Sequence, residues 1–171
     1  MTPKVLETDR LILRHFSEID AEFILELLNE PSFIQNIGDR KVRSIDGAKN
    51  YINNGPVASY AKNGFGLYLV ELKETGEAIG MCGLIKRGTL EDVDIGYAFL
   101  PKFWFKGYAF EAALAVKQYA RDIAGLRRIV AITDPQNAGS IRVLEKIGMK
   151  FEKMVKLSED DIELKLFALD L

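Results

Sequence analysis

Sulfur and imidazole are scarce in this sequence. One cysteine, Cys82, and one histidine, His15, stand among 171 residues. No disulfide can close within the chain, there is no CxxC pair, and zinc would find no His/Cys cluster. No metal is expected. A core must form by packing alone, and a chain of this length buries roughly 70% of its extended surface on folding, which suffices. A basic excess is also missing: 23 Lys and Arg stand against 25 Asp and Glu, for a net charge of -2. Counterion release at a nucleic-acid backbone needs the opposite bias, so no direct nucleic-acid partner is expected. The first nine residues hold Glu7 and Asp9 and no long apolar run. Neither a signal peptide nor a membrane partner is expected, and the expected location is cytoplasmic. The phosphate loop GxxxxGK[ST] and the dinucleotide fingerprint GxGxxG are both absent, which removes two nucleotide-binding classes.

What is present is ordinary globular composition, 48% hydrophobic and 28% charged, with no repeat and no linker, so residues 1–171 are expected to form one domain. Residues 10–16 (RLILRHF) read as a strand. Ser17 opens a capping pattern before apolar residues at Ile19, Phe23, Ile24, Leu27 and Leu28, a helical spacing that Pro31 is expected to end. A polar stretch then leads to helical residues 48–62, which Gly55-Pro56 should split, with Pro56 near a start. Residues 65–72 and 78–86 are strand formers joined by Glu74-Thr75-Gly76-Glu77, a hairpin turn, and residues 93–100 continue the meander to Pro101. A helix over 107–124 carries Ala109, Ala112, Ala113, Val116, Ala120 and Ile123 on its inner side. A strand (128–133), a helix capped by Asn137 (138–147) and two strands (149–157 and 162–169) complete a mixed α/β order.

The informative segment is Asp94 onward, DIGYAFLPKFWFKGYAFEAA. A strand ends at a proline and a short loop enters a helix whose first turn contains Gly107. Unpaired amides and the positive end of the helix dipole form a site for phosphate there, and Gly107 lets an anion approach the backbone. Each hydrogen bond to a charged group contributes about 1.5 to 3 kcal/mol, so several amides outweigh one side chain such as Lys106. Read from spacing alone, a glycine at a helix start also has the simpler explanation of serving the turn.

This segment resembles the acetyl-coenzyme A motif of the Gcn5-related N-acetyltransferases (GNAT), in particular the branch with the ribosomal-protein N-terminal acetyltransferases. A second stretch, NAGSIRVLEKIGMKFE from Asn137, is similar to the family's Asn-x-x-Ser-x-x-x-x-Glu-Lys-x-Gly-Phe, and ETDRLILR from Glu7 resembles its opening. The resemblance implies a mostly antiparallel central sheet with helices on both faces and with the fourth and fifth strands splayed around the coenzyme's pantetheine. It implies that the backbone of Phe99 and Leu100 pairs with pantetheine, that the loop of Phe105, Lys106, Gly107, Tyr108 and Ala109 holds the pyrophosphate, and that Asn137 bonds pantetheine from the other side. Phe105 stands where the branch usually has glycine. Its amide can donate if φ is negative; a positive φ would require the loop to be reshaped.

An amine attacks a thioester only when neutral, so the site must take up a proton, stabilise an oxyanion and support the departing thiolate. Asp94 matches the family's strand carboxylate and is the expected base, acting through water, with Glu91 as the weaker candidate; the alternative for Asp94 is a solvated or loop-orienting carboxylate. Ser140 matches the serine implied to support the coenzyme sulfur, and could equally make a local backbone bond. Cys82, in an apolar strand, reads as a small core residue. Trp104 and Tyr108 shape the cofactor loop or simply pack, and His15 faces the acceptor cleft or is structural. Lys102, Lys106 and Arg142 meet phosphates or solvent. The acceptor is an amine, on a protein N-terminus or a small molecule, lined by residues 31–65 with Phe33, Ile37, Tyr51 and Tyr60. Monomer and homodimer are both compatible with these residues. The rival class is a module that binds coenzyme A as a sensor without turnover.

Overall fold

The computed structural model describes residues 2–171. Its strands are β1 (Lys4–Glu7), β2 (Leu11–Arg14), β3 (Leu67–Leu72), β4 (Ala78–Ile85), β5 (Asp94–Phe99), β6 (Arg128–Thr133), β7 (Lys150–Val155) and β8 (Leu164–Asp170). Its α-helices are α1 (Ala21–Leu28), α2 (Pro31–Asn36), α3 (Ile45–Ile52), α4 (Ala58–Asn63), α5 (Tyr108–Asp122) and α6 (Ala138–Lys146). The strands form one sheet in the order β1-β2-β3-β4-β5-β6-β8-β7. Every neighbour is antiparallel except β5 and β6. The class is therefore the expected mixed, mostly antiparallel α/β sheet.

The exception positions the site. Parallel neighbours need a crossover, and α5 supplies it while packing on β4 and β5. Its inner face is Ala112, Ala113, Val116 and Ala120, all fully buried, and side chains this small let the helix axis lie close to the sheet. Between β5 and β6 a single pair, Asp94 with Val130, is in register, tied by the Val130 amide to the Val93 carbonyl at 3.0 Å. Beyond it the strands part, because β6 is paired along its whole length to β8. This is the expected splay; β1, which periodicity did not reveal, adds a strand at the sheet's edge.

Four local expectations need correction. Pro31 does not end the first helix: α1 stops at Asn29, and Pro31 opens α2, at the first helical position where a missing N–H costs nothing. Gly55-Pro56 does not break residues 48–62 into two separate helices, since Asn53–Val57 form a π-helical turn that joins α3 to α4 with Pro56 buried inside it. Ile19 belongs to a 3-10 turn (Glu18–Asp20) ahead of α1 and is 80% exposed. Ile123 caps α5 and is 71% exposed.

Candidate active site

A cleft of about 1820 Å³ runs across the molecule where β5 and β6 diverge. One end is lined by α2, α3, α4 and the loop after α2, the floor by β4 and β5, and the other end by residues 103–110 and α6.

At the second end, α5 begins with no side-chain cap on Gly107, whose φ is +83°. Among the described residues none of the amides from Phe105 to Phe110 has an acceptor. These are the orphan donors of a helix start, and with the dipole behind them they suit an anion. Phe105 takes φ +61°, so the loop keeps the left-handed turn that glycine usually makes and carries a non-glycine strain of about 1–2 kcal/mol. The expectation that the Phe105 amide is available only at negative φ is thus corrected: at φ +61° the amide still has no acceptor among the described residues, and the ring points outward, 92% exposed. The loop is braced from β2's side. Arg10 donates through Nη1 to the Lys106 carbonyl (3.0 Å) and through Nε to Glu111 (2.7 Å), and it stacks over the Tyr108 ring at 4.4 Å. Thr8 Oγ1 and the Arg10 amide both donate to Glu111 Oε1, at 2.6 and 2.9 Å. Burial acts to raise the Glu111 pKa, yet the bonds from Thr8 and Arg10 outweigh it and hold the carboxyl below its ordinary value.

Asp94 sits at the apex of the splay, 1% exposed and lining the cleft. Burial raises its pKa to about 6, against the lowering influence of Arg87, whose Nε lies 3.2 Å from Oδ1. A carboxylate with that value changes charge near neutrality, as a general base requires. Across the gap, the Tyr97 hydroxyl lies 3.0 Å from both the backbone carbonyl and the Oγ of Ser140. Burial raises the Tyr97 pKa, with Ser140 lowering it. Asn137 caps α6, its Oδ1 accepting from the Ser140 amide at 3.2 Å, so one side chain orients the serine's turn.

Other candidates fall elsewhere. The Leu100 amide donates to the Ile79 carbonyl and its carbonyl accepts from Phe103, so Leu100 faces β4 and is corrected as a pantetheine partner. Strand alternation turns the Phe99 amide the other way, toward the gap. Lys106 does not line the cleft: its Nζ lies over the Phe103 ring at 5.9 Å, and its carbonyl accepts from Arg10. Glu91 is exposed on a turn away from the cleft, its carbonyl accepting from Lys86. His15 and Tyr60 form a stack with Tyr68, with centroids 4.0 Å apart in the first pair, and line no part of the cleft. Cys82 is fully buried, and burial pushes its thiol up. Sequence reading missed Arg10, Thr8, Glu111, Arg87 and Tyr97 as site residues. Glu111 and Tyr97 stood inside the motif, but their partners lie 101 and 43 residues away. Among the described residues no cluster of His, Cys, Asp or Glu could hold a metal ion, and no helix is long and apolar enough to cross a membrane.

Residues 10–150 match the family model described as an acetyltransferase (GNAT) domain. This chain belongs to the GNAT acetyltransferase family. The acetyltransferase is 32% identical over 159 residues to YkkB of Bacillus subtilis (strain 168), with 88% of each chain covered. It is 31% identical to the N-acetyltransferase YoaA of the same strain, covering 89% of this chain and 86% of YoaA. Its fold superimposes with a TM-score of 0.84 on RimL, a ribosomal L7/L12 α-N-protein acetyltransferase solved in complex with coenzyme A, at 19% identity and covering 99% and 98% of the two chains. The acetyltransferase thus shares its overall fold with RimL, and Asp94, Tyr97 and Ser140 are among the polar groups that line its cleft.

Proposed function

We propose that the chain acts as one unit that transfers acetyl from acetyl-coenzyme A to an amine, of a protein N-terminus or a small molecule, by direct attack and without an enzyme nucleophile. The observation that carries this reading is the run of unpartnered amides from Phe105 to Phe110 opening into the cleft that holds Asp94. Those amides suit a diphosphate, with Gly107 giving it room, and the gap between β5 and β6 suits an extended arm beside the Phe99 amide and Asn137. Acetyl-coenzyme A supplies the activated acyl group. Asp94 takes the amine's proton through water, as its raised pKa favours. The Phe99 amide donates to the carbonyl oxygen as charge develops there, and the Ser140 hydroxyl, held by Tyr97, faces the departing sulfur. The acceptor enters from the end lined by Phe33, Ile37 and Tyr51. Work in the cytoplasm is part of the same proposal. Thiol release from acetyl-coenzyme A, measured over a panel of amines and N-terminal peptides, tests the reading. Release above background is expected with at least one acceptor; binding of coenzyme A with no release from any would leave the sensor reading standing instead.

A further inference from the structure

The acceptor end of the cleft is built around two arginines with unequal duties. Arg87 uses Nε to meet Asp94, at 3.2 Å, and among the described residues its two terminal nitrogens have no hydrogen-bond partner. Arg40 comes from the loop after α2. There Gly38 takes φ +130° and Lys41 takes φ +58°, a tight course that leaves Arg40 Nη1 3.7 Å from where a Gly38 side chain would begin. The neighbouring Asp39 does not neutralise it. Asp39 accepts from the Lys41 amide at 2.7 Å and pairs with Arg43 at 2.7 Å, and Arg43 is tied to Asn29. Arg40 therefore has no carboxylate partner among the described residues. Both arginines and Tyr51 line the cleft. Burial raises the Tyr51 pKa, while the charges of Arg40 and Arg87 act to lower it.

A guanidinium fork in a cleft matches a carboxylate geometrically and electrostatically. Here the two forks and a phenol line the same cleft as the proposed base, and one of the forks, Arg87, touches it at 3.2 Å. Asp160 and Asp161, on the β7–β8 loop, line the same cleft and can receive an ammonium before it loses its proton. We infer that the acceptor carries a carboxylate close to its amine, held by Arg40 and the free end of Arg87 with the Tyr51 hydroxyl between them. This rests on the acetyl-transfer reading and narrows its substrate class to amino acids or to peptide N-termini followed by an acidic side chain.

Thiol release with matched acceptors tests it: alanine against alaninamide for the free amino acid, and dipeptides with glutamate against glutamine in second place for the peptide source. In at least one pair the carboxylated member should show kcat/KM at least about tenfold higher, the size of one good ion pair. Arg40→Ala, on an exposed loop, should remove that advantage chiefly through KM and leave the neutral member within about twofold; Arg40→Lys should restore part of it. Equal rates within both pairs, a preference for the neutral member, or an Arg40→Ala loss shared by both members would overturn the inference while acetyl transfer stood. No thiol release from any acceptor would overturn both.

Discussion

Arg10 and Glu111 are 101 residues apart in sequence and meet through two hydrogen bonds, Nε to Oε2 at 2.7 Å and amide to Oε1 at 2.9 Å. The contact fastens the start of β2 to the first turn of α5. Because Arg10 also bonds the Lys106 carbonyl, it governs the shape of the loop whose amides face the cleft. Glu111→Ala should weaken coenzyme A binding by roughly tenfold, about 1.4 kcal/mol, without touching the ligand. Calorimetry with coenzyme A measures it. Arg10 is half exposed, so the accompanying loss of stability should stay near 1 kcal/mol. Unchanged affinity in Glu111→Ala would mean that the loop holds its shape unaided.

Two residues of that loop are left-handed, Phe105 and Gly107, and only the second is glycine. Opposite outcomes follow. Gly107→Val should add at least about 1–2 kcal/mol of backbone strain, set its side chain beginning 3.2 Å from Arg10 Nη2, and abolish coenzyme A binding. Phe105→Gly should relieve strain while losing little buried surface, since the ring is 92% exposed, and thermal denaturation should show a midpoint equal to or higher than the parent's. A lower midpoint would show that the ring contributes contacts worth more than the strain.

Asp94 should appear in the pH dependence of both activity and stability. As a base with a pKa of about 6, it predicts kcat/KM rising with pH to a plateau above that value. Asp94→Asn should lose this limb together with roughly 10²–10⁴-fold in rate. The stability sign is the reverse of the usual carboxylate case. The folded pKa, about 6, lies above the ordinary 3.8, so between these values the folded protein binds more protons than the unfolded chain. Stability from this group is complete below pH 3.8 and falls by on the order of 3 kcal/mol as pH rises through 6. Denaturant melts of parent and Asp94→Asn at pH 4.5 and 7 should show the parent losing more. Equal losses would mean Asp94 titrates at its solution value.

Local pattern determined much of this protein by itself. The alanine-lined face of α5, the turn at Glu74–Glu77 that closes the β3–β4 hairpin and the cap of α6 at Asn137 follow from residue spacing and turn chemistry, which operate over a few residues. The motif from Asp94 to Ala113 likewise places a helix start beside a buried strand end, and so points to an anion site. Tertiary structure alone decided who meets whom across the sheet. Arg10 reaches Glu111 and Tyr97 reaches Ser140 only once β5 lies between β4 and a diverging β6, whereas Arg87 meets Asp94 across the short β4–β5 connection. Burial did the rest: Asp94 acquires its raised pKa from desolvation, and Pro56 is carried within a continuous helical path because the surrounding core holds the widened turn. Periodicity reports which face a residue presents, whereas charge partners and dielectric depend on neighbours that the chain brings together from far apart.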